Sequence, residues 1–180
     1  MENRYSVLVA YTTAAGSTAE VAERIAATLR AEGAEVVCRP AGPDVDPTAF
    51  DAVVVGSAVH DMAWLPPAVE LMARAQQTGR PVWAFSVGGI QPNGPVTRLL
   101  ADRELRRVER SFSRPPREHA LFGGVVDLAR TPLWGRLFFR AMGGRPGDHR
   151  DWPAVERWAV DIGDGIALAC AAETPVGPEW

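Results

Sequence analysis

One stretch near the start of the sequence constrains the fold more than any other: an apolar run that passes directly into an amphipathic pattern. Residues 5–11 are mainly apolar and partly β-branched, which is typical of a strand covered on both faces of a parallel sheet. After residue 16, apolar residues recur at helical spacing with charged residues between them: Val21, Ile25, Ala26 and Leu29. The pattern predicts a strand that leads at once into a helix.

The connection between this strand and helix is rich in small and hydroxylated residues: Thr12, Thr13, Ala14, Ala15, Gly16, Ser17 and Thr18. The start of a helix offers free N–H groups and a positive dipole end, and a glycine lets the backbone approach a ligand closely. We interpret residues 12–18, the cradle loop, as a phosphate-binding loop. The residues leave open an ordinary turn in which Ser17 or Thr18 caps the helix.

The rest of the chain alternates between strand and helix patterns. Further strands are expected at 35–39, 52–56, 81–87 and 119–126, with helices between them and a last helix opening at Asp151 and Trp152. Such alternation predicts an α/β fold: a doubly wound, five-stranded parallel sheet of order 2-1-3-4-5 with helices on both faces. We expect one domain, residues 1–172, and a flexible tail at 173–180.

Two more strand ends carry residues suited to a ligand crevice. The segment 57–67 starts with small residues and then presents His60, Met62 and Trp64, which can pack on a planar ring or simply staple the loop to the next helix. The fourth strand ends in a pair of glycines, Gly88 and Gly89, which suit either close approach to a ligand or a tight turn.

Charge is distributed unevenly along the chain. The net charge is −3 and no lysine is present, yet residues 98–150 carry twelve arginines against six acidic residues. This segment is either a solvated helix face or an electropositive surface for an acidic substrate, partner or anionic lipid. Nucleic acid is a poor fit because the chain is acidic and the basic stretch lacks interleaved aromatic residues. The dispersed Cys and His residues predict no metal site.

The cradle loop, the Gly-Ser-Ala-Val-His-Asp segment at 56–61 and the expected strand order resemble the flavodoxins. That resemblance implies FMN, with its phosphate in the cradle loop. The isoalloxazine ring would then be bordered by Ser57, Ala58, Val59, His60, Trp64 and the backbone of Ser86, Val87, Gly88 and Gly89. Ala14 stands where a hydroxyl residue is common in that family.

A narrower resemblance rests on residues 56–64 and 131–158. The segment from Leu133 to Gly144 is aromatic and basic, ends in Met-Gly-Gly and precedes the Asp-Trp helix start, as in quinone-dependent protoporphyrinogen oxidases of the flavodoxin superfamily. This resemblance implies a porphyrinogen substrate, a quinone acceptor and a role in heme biosynthesis. The aromatic and arginine residues of 131–142 suit either a core-facing helix or a helix at a membrane surface.

These observations predict an FMN-dependent oxidoreductase that passes reducing equivalents from a substrate to a quinone. The alternative is a flavodoxin-type electron carrier without a substrate of its own, and a third option is a fold relative that has lost FMN. No individual catalytic residue is indicated. Because the start of the sequence lacks a long apolar segment, we expect a cytoplasmic protein, with peripheral membrane contact as a second interpretation.

Overall fold

The computed structural model describes residues 5–88, 95–126 and 147–173, without the side chains of 95–97, 126 and 170–173. The strands are β1 Ser6–Thr12, β2 Glu35–Pro40, β3 Ala52–His60, β4 Ala63–Trp64, β5 Val82–Gly88, β6 His119–Gly123, β7 Val125–Val126 and β8 Gly147–Asp148. The helices are α1 Ser17–Ala31, α2 Pro66–Gln77, α3 Pro95–Glu109 and α4 Trp152–Glu173, with a 3-10 turn at Pro47–Ala49.

The main sheet has the order β2-β1-β3-β5-β6, and every neighbouring pair along it is parallel. This confirms the predicted five-stranded, doubly wound sheet with its first strand in the interior. The short β4 adds an antiparallel partner to β3, and β7 pairs with β8 in a separate two-stranded ribbon. The order in which strands are added reverses at β1, because β2 lies on one side of it and β3 on the other. In folds of this kind, ligands bind at the carboxyl end of the two strands where the order reverses, here β1 and β3.

Alternation along the central strands divides the core into two layers. Val7 and Val9 of β1 pack with α1 and α4, whereas Leu8 and Ala10 face the layer that contains α2 and α3. All four of these side chains are fully buried, as expected for a central parallel strand covered on both faces. The apolar run of β1 is continuous in the sequence because its alternate residues pack into two different layers of the core.

A glycine in β3 allows an aromatic ring to fill the first layer. Gly56 pairs with Phe85 of β5, and a Cβ atom at position 56 would overlap the Phe85 ring. Phe85 is fully buried and makes ring contacts with Phe122 and Trp158 at centroid distances of 6.3 and 6.2 Å. The glycine is therefore needed for packing between β3, β5 and α4.

Two expected boundaries differ from the observed ones. β3 was expected to end at Gly56 but continues to His60, because residues 59–64 fold back as a hairpin with β4. The strand expected over 119–126 ends at Gly123, and Val125–Val126 instead pairs with Gly147–Asp148. Segment 131–142, for which the sequence indicates a helix, lies outside the described residues, as do Gly89 and residues 174–180. No helix in the described ranges is both long and apolar enough to cross a bilayer.

Candidate functional site

The carboxyl ends of β1, β3 and β5 bring the three predicted loops to one edge of the sheet. In the strand register Thr12 lies beside Ser57, and Ser57 lies beside Ser86. Three hydroxyl residues from distant parts of the sequence thus form one row across the sheet. The cradle loop and the segment after β3 flank the crevice between β1 and β3, as predicted.

The cradle loop reaches α1 through Gly16, which adopts a left-handed conformation with φ of 97°. Thr13 Oγ1 accepts a hydrogen bond of 2.9 Å from the Gly16 N–H, which fixes the turn just before the helix. Gly16 itself is the N-cap, and no side chain caps the helix. The alternative in which Ser17 or Thr18 acts as the cap is therefore wrong.

The first amide groups of α1 remain available to a ligand. The helical bonding starts with the Glu20 N–H, which donates to the Gly16 carbonyl over 3.2 Å. The amides of Ser17, Thr18 and Ala19 precede that bond and have no intrahelical acceptor. Free amides at the positive end of a helix are chemically suited to binding an anion. Ala14 and Ala15, both exposed, can contribute only backbone polar atoms.

Two hydroxyl groups of this loop are buried without a hydrogen-bond partner among the described residues: Thr12 Oγ1 and Thr18 Oγ1. Thr18 is fully buried. Leaving a buried polar group without a partner costs roughly 1–3 kcal/mol, so such groups in a native fold call for an explanation. A bound oxyanion at the helix start can accept from them, which makes the cradle loop chemically suited to a phosphate group.

The 59–64 hairpin projects from the same edge. Asp61 and Met62 form its two-residue turn, and both have left-handed backbone conformations, with φ of 52° and 60°. Such turns favour Asn-Gly, and other residues cost about 1 kcal/mol each in this conformation. The turn presents exposed side chains at the crevice, including Met62 and His60, whose Nδ1 lies 3.1 Å from Asp61.

The base of the hairpin is fastened by Ser57, which is fully buried. Its hydroxyl donates to the Ala58 carbonyl at 2.8 Å and accepts from the Leu65 N–H at 3.0 Å. Both bonds are to residues that flank the 59–64 hairpin. The Ser57 hydroxyl therefore holds the two ends of the hairpin together. Ala58 and Val59 are half-buried and continue the strand toward the turn.

Trp64 faces away from the exposed turn. Its indole is buried, and Trp64 Nε1 donates to Ser86 Oγ over 2.7 Å. The ring also makes edge contacts with Phe112 and His119 at centroid distances of 4.9 and 5.7 Å. The expected ring contact of Trp64 with a ligand is thus replaced by a role in holding the hairpin against β5.

Ser86 continues this network to a buried histidine. Ser86 Oγ lies 2.9 Å from His119 Nε2, and His119 Nδ1 lies 3.1 Å from Glu109 Oε1. Because an indole N–H can only donate and a carboxylate can only accept, the consistent arrangement has Ser86 donating to Nε2 and Nδ1–H donating to Glu109. Burial lowers the pKa of His119, and the neighbouring Glu109 opposes that shift without reversing it. His119 is therefore held neutral.

A buried carboxyl group lies under the end of β5. Glu104 of α3 is only 4% exposed, and a Cβ atom on Gly88 would lie 2.8 Å from Glu104 Oε1. Burial raises the pKa of Glu104. Gly88 therefore makes room for an acidic side chain, which explains its small size independently of any ligand. Ser86 and Val87, the preceding residues of β5, are also buried.

The β7–β8 ribbon is attached next to the cradle loop. A Cβ atom on Gly124 would lie 3.5 Å from Ser17 Oγ, and the Gly124 N–H donates to the Gly88 carbonyl at 2.9 Å. Arg150 ties the ribbon to α1, with bonds of 2.5 Å to Glu20 Oε2 and 2.6 Å to Asp148 Oδ2. The paired Arg150 lowers the pKa of Asp148 to about 2.

Sequence alone does not indicate the roles of Glu104, Glu109 and His119. The three histidines are dispersed along the chain, and the register between β5 and β6 is needed to place His119 on the same sheet face as Ser86. Glu104 and Glu109 lie in the arginine-rich segment 98–150, whose charges indicate only a solvated face or an electropositive surface. A weak signal for Glu104 is its i+3 and i−4 spacing from Ala101 and Val108, which are both buried.

Comparison with known proteins agrees with this architecture. A family model described as a flavodoxin domain matches residues 8–151. No curated protein matches the sequence. A solved flavodoxin from the domain Archaea superposes with a TM-score of 0.53 at 16% identity, over 90% of this chain and 99% of the other.

Two larger proteins share the fold over part of their length. They are the rubredoxin oxygen:oxidoreductase of Desulfovibrio gigas, with a TM-score of 0.55 and 18% identity, and the flavodiiron protein of Giardia intestinalis, with 0.56 and 16%. The matches cover 92% and 94% of this chain but only 37% and 38% of those proteins. With the family model matching most of its length, this chain belongs to the flavodoxin domain family.

Proposed function

We propose that this protein binds FMN at the carboxyl edge of the sheet and acts as a redox protein. The observation that carries the proposal is the start of α1, where no side chain caps the helix and the buried hydroxyls of Thr12 and Thr18 have no hydrogen-bond partner among the described residues. Such a site suits a phosphate monoester without needing a lysine. The flavin would supply the electron-transfer chemistry itself.

The residues around the crevice have separate duties in this proposal. The amides of residues 17–19, with Thr12 and Thr18, hold the phosphate. The exposed hairpin turn, with His60 and Met62, borders the ring together with the backbone at the end of β5. Ser57 and Trp64 hold the hairpin in place by their hydrogen bonds, so the border is positioned before the ligand arrives.

Substitution of Thr18 by valine tests the phosphate assignment. T18V removes one hydroxyl at nearly constant volume, and we expect it to weaken FMN binding by about tenfold or more, since a hydrogen bond to a charged group is worth roughly 1.5–3 kcal/mol. Riboflavin, which lacks the phosphate, should bind wild type and T18V equally. The matched control is T28V on the same helix, where Thr28 Oγ1 only donates to the Arg24 carbonyl.

Isothermal titration of both ligands into the three proteins distinguishes the outcomes. The assignment fails if FMN binds no more tightly than riboflavin to the wild type, or if T18V and T28V lower FMN affinity to the same extent.

The finer proposal is an oxidoreductase resembling the quinone-dependent protoporphyrinogen oxidases. It is supported by the exposed arginines at the end of α3 and just after it, which are Arg103, Arg106, Arg107 and Arg110. Guanidinium groups pair well with substrate carboxylates, whereas electron-carrier flavodoxins are typically acidic around the flavin. The motif at 131–144 that first indicated this activity lies outside the described residues.

Anaerobic mixing separates the two functional classes. An FMN-loaded oxidase of this type should lose its flavin absorbance on addition of protoporphyrinogen and recover it on addition of menaquinone. An electron carrier should instead exchange electrons with a reduced protein donor and leave protoporphyrinogen unchanged.

A further inference from the structure

An open polar cavity lies on the surface at the amino edge of the sheet, at the opposite edge from the crevice. It has a volume of about 180 Å³ and is lined by the end of α2, the start of β5 and the loop before β6. Its lining includes three arginines, Arg80, Arg114 and Arg117, together with Gln76, Gly79 and Pro115. Nothing in the proposed redox function uses this cavity.

The three guanidinium groups have no carboxylate partner within ion-pair distance in the part of the chain that the structure describes. The nearby Asp51 carboxylate accepts from the Ser6 N–H and hydroxyl, each at 2.8 Å, and these bonds lower the pKa of Asp51 more than Arg80 does. The carboxyl end of α2 contributes roughly half a negative charge. The cavity therefore keeps a clear positive excess.

The walls of the cavity are fixed by hydrogen bonds. The side chain of Gln76 is almost completely buried and holds the 113–114 backbone three times: Nε2 donates to the Arg114 carbonyl, while Oε1 accepts from the N–H groups of Ser113 and Arg114 at 3.1 and 3.3 Å. The Arg117 N–H donates to the Val82 carbonyl at 2.8 Å, and its guanidinium lies 5.8 Å from the centroid of the Trp83 ring. The Arg80 N–H donates to Thr78 Oγ1 at 3.1 Å, so all three arginines are anchored through their backbone.

We propose that this cavity binds a phosphoryl group, separately from the cradle loop. Arginine guanidinium groups bind tetrahedral oxyanions through paired N–H bonds, and three exposed arginines line this one cavity, whose backbone walls are fixed by hydrogen bonds. The volume lies below the roughly 300–1,000 Å³ of sites that enclose a whole drug-sized ligand, so it suits a phosphoryl group alone. The group can belong to a small soluble molecule or to a lipid headgroup.

A residue-resolved titration tests the site. Pyrophosphate is added to the isotope-labelled full chain while amide NMR shifts are followed, and the amides of Gly79, Arg80, Arg114 and Arg117 should move together. The shift changes at these four amides should follow a binding curve separate from that of any shift changes at residues 16–19. The result then does not depend on whether FMN binds at the cradle loop.

The variant R80Q/R114Q removes the charges of two exposed side chains and leaves their backbone hydrogen bonds in place. It should keep the wild-type Tm and bind pyrophosphate at least tenfold more weakly. R30Q/R157Q makes the same change in charge at two exposed positions away from the cavity and should bind within twofold of wild type. Binding to phosphatidic acid vesicles, with phosphatidylcholine vesicles as reference, tests the lipid source with the same variants.

The two probes distinguish a soluble phosphoryl ligand from a lipid headgroup. Shifts at the four amides identify a soluble ligand, and loss of binding to phosphatidic acid vesicles in R80Q/R114Q alone identifies a headgroup. The proposal is overturned if neither probe binds, or if the two double variants lose binding equally, since a general charge effect would then explain it.

Discussion

The Trp64 indole donates a 2.7 Å hydrogen bond to Ser86 Oγ and so connects the hairpin after β3 to the end of β5. The two residues are 22 positions apart in the sequence, and both are buried. Through Ser86 the bond continues to His119 and Glu109. The border of the proposed flavin site is therefore held by a buried polar network.

A double-mutant cycle measures this bond. S86A should lower the free energy of unfolding by about 1–3 kcal/mol, because it leaves the indole N–H of Trp64 buried without an acceptor. In the W64F background the same change should cost about 1 kcal/mol less, since no donor is left to satisfy. Urea unfolding of wild type, S86A, W64F and the double variant gives the coupling free energy between the two side chains. Strictly additive changes in the free energy of unfolding would contradict the hydrogen bond.

The stability of the protein should depend on pH through His119. Burial lowers the pKa of His119 in the folded state below the ordinary value near 6.5, so below that pH the unfolded chain takes up a proton that the folded one resists. This contribution is present above about pH 6.5 and is lost as the pH falls toward the folded pKa, by at most about 1.4 kcal/mol per pH unit.

Urea unfolding of wild type and H119Q at pH 7.5 and 5.5 checks this dependence. The wild type should lose more stability between the two pH values than H119Q does. An equal loss in both proteins would show that His119 does not titrate in this way.

Replacing Met62 by glycine should change stability and binding in opposite directions. M62G relieves the left-handed backbone conformation at the hairpin turn and should stabilise the protein by about 1 kcal/mol. It also removes an exposed apolar side chain from the proposed ring border and should weaken FMN binding. Thermal unfolding and FMN titration of this one variant test both statements. Unchanged FMN affinity would show that Met62 does not contact the flavin ring.

Two glycines offer a matched comparison. Gly16 and Gly33 have φ values of 97° and 94°, and a Cβ atom at either would meet nothing within 4 Å. G16A and G33A should therefore each cost about 1–2 kcal/mol of stability through backbone strain alone. FMN affinity should fall in G16A, where the strain distorts the start of α1, and stay at the wild-type value in G33A. Equal affinities would argue against the cradle loop.

The fold followed from the sequence because each buried strand left a clear local signal. The apolar runs at 7–11 and 52–55 and the glycine-marked turns gave strand number, order and the position of the crevice. Strand ends were less predictable. β3 extends to His60 because the hairpin pairs Val59 with Trp64, a contact that no local pattern reveals.

The site was predictable where it depends on a strand-helix turn and unpredictable where it depends on packing. The cradle loop could be located from its hydroxyl residues and Gly16. The burial of Trp64 could not be predicted, because the sequence does not show whether an aromatic residue in a loop faces a ligand or the core. The Ser86–His119–Glu109 network needed the pairing of β5 with β6 to bring its members together.

The most direct test of the account is a titration of the purified protein with FMN, followed by quenching of flavin fluorescence and by the flavin absorbance bands. We expect saturable binding of one FMN per chain at micromolar or lower Kd, with riboflavin bound more weakly. No binding at 100 µM FMN would contradict the proposed site and with it the redox function.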